Sequence, residues 1–381
     1  YTKWAADLKE NHLHAVISGF PVGDTPGVGT FADFFSRLWI SGKNDLSDPV
    51  HVPKEKPQKP KEKGEKAPPV DKLTVEDLFR KFEEDPPQDM EPCKRIFEIF
   101  RSLFLDCSVQ EELIDLRNLS LSGDGTPVYT AAQERKKRTC DCLEKGIHDC
   151  KCNRIYSQPD CDIGWDSHRN RYYFGYDLYM LTASDSENDL PVFPFLGPAS
   201  RHDSHGFLYV WYSMKQFLPD VVVKKIILDS AHDAMPYYQY CMEQGITPFI
   251  DLNSSRGRPP VYKEDFTINS DGVPVCPQGY TMRRDGTEKA KGRTKFKYPK
   301  ISFDGGKPVC TCESPCSDAK YGRTVHLVMK DNPRLFNDPP RSSKEWKMEF
   351  NARTSSERCN KRQKIDYKLE DGRYRSSKMW Y

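Results

Sequence analysis

The chain has no run of about 18 consecutive apolar residues, the length that carries a helix across a bilayer, so the sequence offers no membrane span. Its first residues, YTKWAADLKE, have no basic start followed by an apolar stretch, so we expect them not to be a signal peptide. An initiator methionine is lacking, and SSKMWY stops as an apolar stretch begins. We therefore expect a fragment truncated at both ends, whose targeting signals are missing rather than absent. Net charge is scarce as well. The 58 Lys and Arg nearly balance 56 Asp and Glu, leaving +2, so total charge identifies no partner. There are no internal repeats, which excludes a repeat array. An even cysteine count is also lacking. The 13 cysteines cluster as Cys-x-Cys pairs, which suit thiolate ligation of a metal better than a secreted disulfide framework. This points to a reducing, cytoplasmic compartment.

What is present is enough to fold. The 381 residues are 37% hydrophobic and 12% aromatic, sufficient for two or three domains and a sizeable core. Charge is uneven along the chain: residues 341–381 hold 12 Lys and Arg against 6 Asp and Glu. A basic segment of this kind is either a solvated helix surface or a contact for a polyanion.

Residues 1–50 read as a small N-terminal unit, with a helix over FADFFSRLWI capped by Thr30. Residues 51–72 are Pro, Lys and Glu with almost nothing to bury, a disordered linker. Residues 73–116 return to helix, opened by a Thr74–Asp77 capping pattern. From 117 strands and helices alternate. NLSLSGDGTPVY reads as a strand ending at Asp124 and Gly125, followed by the aromatic strand RYYFGYDLYMLTA. DLPVFPFLGP is an edge strand because of its prolines. DSHGFLYVWYSMKQFL is a helix, VVKKIILDSA a buried strand ending at Asp229, and AMPYYQYCMEQG a helix closed by Gly245 before the strand ITPFIDLN. This order gives an α/β layer architecture over 117–253 and 321–381. Residues 254–320, rich in Gly, Pro, Lys and Cys, read as an inserted β subdomain, with RTVHLVM as a strand returning to the core. Residues 342–369 read as one long helix with Ser342 or Ser343 as N-cap.

Three carboxylates stand out by position. Asp124 and Asp229 end apolar strands, and Glu357 lies mid-helix. Acidic residues at the C-terminal ends of neighbouring strands point into the crevice where α/β sheets bind ligands. Oxygen donors of this number suit Mg²⁺, or Mn²⁺ in its place, completed by water and substrate phosphate. Two such ions about 3.5–4 Å apart activate a water or 3′-hydroxyl and stabilise the leaving oxygen of a phosphodiester. Taken singly, an Asp at a strand end is more often a turn or helix cap. Three other acids compete. Asp177 is mid-strand, Asp203 reads as the N-cap of its helix, and Asp233 is near enough to Asp229 to support it from behind.

Phe350, Arg353, Glu357 and Lys364 have the spacing aromatic-x2-Arg-x3-Glu-x6-Lys, which a continuous helix would gather on one face. Arg353, Lys361 and Lys364 are candidates for DNA phosphate, although Arg353 and Lys361 also sit at ion-pair spacing from Glu357, worth roughly 0.2–0.5 kcal/mol each. The spacing resembles the Tyr-x2-Arg-x3-Glu-x6-Lys signature of DDE insertion-sequence transposases, with Phe350 in place of Tyr, so the ring is kept and the hydroxyl lost. GDGTPVYTA, FGYDLYMLTA, ASRHDSHGF and the stretch from YGRTVHLVMKD to SERCNKR look like that family's segments in order, and together with ISGFPVGDTPGVGTFADFFSRLW they span residues 17 to about 370. The resemblance implies an RNase H-like mixed sheet flanked by helices. It also implies a catalytic triad of Asp124, Asp229 and Glu357 holding two Mg²⁺ or Mn²⁺ ions, and cleavage of element ends followed by strand transfer into target DNA. A homodimer in the synaptic complex, a possible DNA-binding N-terminal unit and a prokaryotic, nucleoid-associated location follow from the same likeness.

The cysteines fall into two groups. Cys140, Cys142, Cys150, Cys152 and Cys161 form the first, with His148 as an alternative ligand; Cys276, Cys310, Cys312 and Cys316 form the second. Either suits a structural Zn²⁺ site, and reduced free cysteines are the plainer alternative. Two rival readings follow: an inactive DNA-binding protein of the same fold, and a zinc-stabilised interaction module whose acids are only caps.

Overall fold

A computed structural model describes residues 1–47, 50–51, 73–131, 137–155, 157–253, 266–311, 313–314, 317, 319, 322–371, 374 and 376–381. Residues 52–72, expected to be a linker, and 254–265, the start of the expected insertion, lie outside the described residues.

Three helices open the chain: α1 (Thr2–Glu10), α2 (His12–Ile17) and α3 (Val28–Leu38). Asn11 caps α2 by accepting from the N–H groups of Leu13 and His14. The α3 helix starts at Val28 behind Gly27, so Thr30 lies within the first turn and is not its cap. Glycine is tolerated at an N-cap, and Gly27 has the extended backbone that the position needs. A short strand, β1 (Val50–His51), follows. The helix α4 (Val75–Glu84) carries the expected capping box: Thr74 Oγ1 accepts from the Asp77 N–H, and the Asp77 carboxylate accepts from the Thr74 N–H. Thr74→Ala is expected to cost about 1 kcal/mol, read as a lower thermal midpoint without loss of the fold. Then come α5 (Lys94–Phe100), a π-turn at Arg101–Leu105 and α6 (Asp106–Gln110).

The central sheet begins with β2 (Leu119–Tyr129). The connection after it carries β3 (Lys137–Arg138) and β4 (Arg154–Ile155), which with β1 form a separate three-stranded sheet in the order β1-β4-β3. The main sheet continues with β5 (Asp162–Asp166), β6 (Arg171–Ala183) and β7 (Pro191–Pro198), then α7 (Asp203–Phe217), β8 (Val223–Leu228), α8 (Met235–Glu243) and β9 (Thr247–Ile250). Its order is β5-β6-β2-β8-β9, with β7 also paired to β6. Strand β2 is antiparallel to β6 and parallel to β8, and β9 is parallel to β8. This is a mixed α/β architecture. Strand β7 has only β6 as a partner, so its three prolines sit on an edge where a missing N–H costs little.

Side chains alternate across the sheet, and the alternation decides which helices cover which face. Leu119 and Leu121 of β2, Tyr179 and Leu181 of β6, and Ile226 and Leu228 of β8 pack with residues of α4, α5, α7 and α8 in the largest core. Phe97 stacks on Phe193 there, with ring centroids 4.2 Å apart. The opposite face presents Val128, Tyr176, Leu178 and Met180 to Cys359 and Trp380, and Ile227 to Trp346.

The described residues between 266 and 328 form small antiparallel sheets: the hairpin β10 (Thr267–Ile268) with β11 (Pro274–Val275), then β12 (Arg283–Glu288), β13 (Arg293–Lys297), the hairpin β14 (Ile301–Asp304) with β15 (Lys307–Cys310), and β16 (Thr324–Val328). The stretch RTVHLVM does not rejoin the central sheet. As β16 it pairs with β13, where Val325 and Leu327 complete a separate core with Phe296, Phe266 and Phe336.

The expected long C-terminal helix is broken. Helix α9 (Lys344–Asn351), capped by Ser343, stops at Ala352 and Arg353; α10 (Thr354–Lys361) follows and relaxes into a π-turn at Arg362–Asp366. Its two halves serve different cores. Trp346 and Phe350 of α9 stack at 4.7 Å and pack towards Phe249 of β9, whereas Ser355, Ser356, Cys359 and Asn360 of α10 are buried and α10 packs on β6 and β2. A last helix, α11 (Ser377–Trp380), closes the chain against this face.

Candidate functional site

Asp124 is not at a strand end. It sits in the middle of β2, opposite Met180 of β6, because the strand continues through Gly125 to Tyr129. The apolar run ends at Gly123, but pairing to β6 carries the backbone on, and polar residues are tolerated where this face opens from the core. Asp229 does follow the end of β8, as expected. The β2–β8 register pairs Ser122 with Ile227, so two residues further along Asp124 comes level with Asp229 on the same face of the sheet. That is the face covered by α10, which carries Glu357.

Glu357 is placed by its neighbours on α10. Arg358 clamps Asp189 with two 2.6 Å bonds at the turn between β6 and β7, and Ser355 Oγ donates to the Ala183 carbonyl. Glu357 itself is half-exposed and forms a short ion pair with Arg353. The charge of Arg353 also lowers the proton affinity of Asp124 and of Asp229. Lys364 points elsewhere: its Nζ donates to the Pro127 carbonyl at 2.6 Å and pairs with Glu370. Lys361 is solvent-exposed at the end of α10. The structure therefore groups Arg353 with Glu357, leaves Lys361 open to solvent, and uses Lys364 to strap the π-turn to β2.

The acids differ in charge state. Burial pushes Asp124 up to about 7, opposed by Arg353 and reinforced by the neighbouring charges of Asp203, Asp229 and Glu357. Among the described residues no donor lies within hydrogen-bond distance of its carboxylate. Asp229 moves the other way. Burial alone would raise it, but hydrogen bonds from His232 and from the Ala231 N–H, with Arg353 nearby, hold it below the ordinary range. His232 Nδ1 donates to Asp229 Oδ1 at 2.7 Å, and its Nε2 shares a 2.8 Å hydrogen bond with the Tyr179 hydroxyl. Both rings are buried, so this chain fixes the Asp229 carboxylate from the far side of the sheet. His232→Ala is expected to lower any metal-dependent activity about 10–100-fold and to weaken divalent-ion binding to a similar degree. Titration of Mn²⁺ into the wild type and the variant checks this without a DNA substrate.

Residue patterns missed both members of this chain. Asp-x2-His in LDSAH is a usable local signal, but Tyr179 meets His232 only through the sheet. The competing acids are also placed. Asp203 is the first residue of α7, and His202 is its cap. Asp177 lies opposite Pro127, and its Oδ2 and the Asp203 Oδ1 would stand 2.8 and 2.9 Å from a Cβ at position 125. Gly125 is therefore required for these two carboxylates to approach β2. Burial raises both Asp177 and Asp203; the charges of Asp203 and Asp124 raise Asp177 further, and that of Asp229 raises Asp203. Asp233 turns away to Arg334, 2.6 Å from its Nη2.

The cysteines separate. The Sγ atoms of Cys140, Cys142, Cys150 and Cys152 all lie within 4.8 Å of one another and could hold a metal such as zinc. Cys161 does not join them; it is buried with Tyr176 and Leu178. His148 offers its carbonyl to Arg138 and is not in the group. Cys276 is buried in the inserted sheets, Cys310 ends β15, and Cys312 and Cys316 lie outside the described residues. Among the described residues this is the one group of three or more Cys, His, Asp or Glu ligand atoms so close together; Asp124, Asp229 and Glu357 stand further apart. No helix among the described residues is long and apolar enough to cross a membrane. Compared with known proteins, the chain matches no family model and no curated protein.

Proposed function

We propose that this chain is a DDE-type DNA transposase, a nuclease and strand transferase with an RNase H-like core. The observation that carries the reading is that Asp124 and Asp229 come level on one face of the sheet, that α10 with Glu357 packs on that face, and that the charge of Arg353, paired with Glu357, also acts on both aspartates. The strand order supports it: Asp124 lies on the central strand, with antiparallel β6 and β7 on one side and parallel β8 and β9 on the other.

The donor set fits a hard divalent cation. It is all oxygen, and Asp124 is a carboxylate raised chiefly by burial that has no hydrogen-bond donor among the described residues. Separation beyond 4.8 Å departs from a single-ion cage, whereas carboxylates shared between two ions about 3.5–4 Å apart span more than that. Asp124, Asp229 and Glu357 would hold Mg²⁺ or Mn²⁺, which supplies activation of a water or 3′-hydroxyl and stabilisation of the leaving oxygen. His232 keeps Asp229 oriented. Arg353 and Lys361 would meet phosphates, fixing register and not sequence. A water first attacks the phosphodiester at an element end, and the freed 3′-hydroxyl then attacks target DNA. Joining two ends calls for a homodimer, and such a reaction belongs beside the bacterial nucleoid.

The test uses a plasmid in which the DNA flanking this coding sequence on each side brackets a marker. Mg²⁺-dependent cleavage at the bracket ends is expected, with calorimetric Mn²⁺ binding. DNA binding without Mn²⁺ binding would favour the inactive DNA-binding reading. Neither DNA nor Mn²⁺ binding would leave the acids as structural groups.

A further inference from the structure

The hairpin of β3 and β4 holds a loop, residues 139–153, that nothing apolar explains. No residue of 137–155 belongs to any of the hydrophobic cores among the described residues. Its two larger apolar side chains, Leu143 and Ile147, are 55% and 50% exposed. Only two residue pairs join β3 to β4, and the ion pair between Lys145 and Asp141 is exposed. A loop that gains so little from burial needs another source of order.

The cysteines supply one. The pattern is Cys-x-Cys-x7-Cys-x-Cys, and the hairpin brings its two halves face to face. Cys140 Sγ is 3.6 Å from Cys150 Sγ, and Cys142 Sγ is 3.6 Å from Cys152 Sγ. A tetrahedral zinc with Zn–S bonds of about 2.3 Å has sulfur–sulfur edges of about 3.8 Å. A disulfide would need about 2.05 Å. Zn²⁺ with four thiolates carries two net negative charges, and a cation stands ready. Arg154 Nη2 donates to Cys150 Sγ at 3.0 Å and to the Cys150 carbonyl at 2.9 Å, while Nη1 donates to the Cys152 carbonyl at 2.6 Å. Arg138 closes the other side of the loop through the His148 carbonyl, at 2.6 Å.

We propose that Cys140, Cys142, Cys150 and Cys152 bind one Zn²⁺ tetrahedrally, that Arg154 tunes and orients this site, and that the ion is what folds the loop between β3 and β4. The site is soft and all sulfur, so it is independent of whatever ion the carboxylates take. Four S–H protons pass to solvent as four Zn–S bonds form, with no change of oxidation state. Because β4 also pairs with β1 at Val50 and His51, the zinc loop secures the strand that links the N-terminal unit to the rest.

The experiment measures metal per chain in the full-length protein purified under reducing conditions. The double variant Cys140→Ser, Cys150→Ser is expected to hold one zinc fewer than the wild type, and Arg154→Ala to bind zinc about 10–100-fold more weakly. Chelation of the wild type should open the loop to trypsin at Lys145 and Lys151 before the central sheet is cut. If the double variant fails to fold, Co²⁺ substitution of the wild type decides: the intense visible bands of a tetrahedral tetrathiolate support the site. Equal zinc in variant and wild type, a mass four hydrogens lighter from two disulfides, or a Co²⁺ spectrum without thiolate bands would each overturn it.

Discussion

Asp124→Asn is expected to yield a protein that is inactive and more stable than its parent. The loss follows from the proposed role of Asp124 as a metal ligand, and should exceed the roughly 100-fold that outer hydrogen-bond partners cost. The gain follows from linkage. Asp124 is raised from 3.8 to about 7 in the folded chain, chiefly by burial. Below about pH 4 folded and unfolded chains both hold the proton, and the group is neutral to stability. Between about 4 and 7 the unfolded chain releases a proton that the folded chain keeps, so stability falls as pH rises. Above about 7 a fixed penalty remains, on the order of a few kcal/mol. Asparagine carries no such charge, so the variant should lose this decline and melt several degrees higher at pH 8. Mg²⁺ should raise the melting midpoint of the wild type and leave that of the variant unmoved. A variant that keeps the parent's pH dependence, or that still responds to Mg²⁺, would remove Asp124 from the site.

Arg334→Met is expected to cost about 3–5 kcal/mol of stability. Its partner Asp233 has a completely buried side chain. That carboxylate accepts from Arg334 Nε at 2.7 Å and Nη2 at 2.6 Å, from the Tyr238 hydroxyl at 3.0 Å and from the Asn253 N–H at 2.8 Å. Arg341 extends the network, donating to the carbonyls of Ile250 and Arg334 and to the Tyr238 hydroxyl. The network ties the chain returning from the inserted sheets to the end of β9 and to α8. Burial pushes Asp233 up, but the bonds from Arg334, Asn253 and Tyr238 win and hold it below the ordinary range. Its contribution is therefore complete above about pH 4 and is lost as pH falls through the folded value. Removing Arg334 strands a buried charge, so the deficit should be greatest at neutral pH and shrink in acid. The double variant Arg334→Met, Asp233→Asn should recover part of the loss. Urea titrations at pH 7 and pH 3.5 separate these outcomes, and an equal deficit at both would show that the ion pair is not its source.

Much of the fold was legible because periodicity reports burial. The aromatic strand Arg171–Ala183 and the helix Asp203–Phe217 have the span that alternation and helical spacing indicate, and the Thr74–Asp77 and Ser343 caps depend only on neighbours a few residues away. Errors arose where distant partners decide. The β2 strand outlasts its apolar run because β6 offers nine paired residues. The helix after Ser343 breaks at Ala352 and Arg353 because its halves pack on different parts of the sheet, and this takes Lys364 out of line with Glu357. The strand Thr324–Val328 has a pattern that either sheet would accept; only the available edge at β13 settles it.

By itself, then, the amino-acid order determined which residues are apolar and at what period, where helices are capped, and which acids and cysteines stand near one another in the chain. Those are properties of contacts within about one turn or one hairpin, and their energies are local. The tertiary structure alone decided that Asp124, Asp229 and Glu357 share one face, that His232 and Tyr179 hold Asp229, and that Gly125 lets Asp177 and Asp203 close on β2. Such groups are brought together by strand register and by burial of both sheet faces. Neither has a signature at any fixed spacing along the chain.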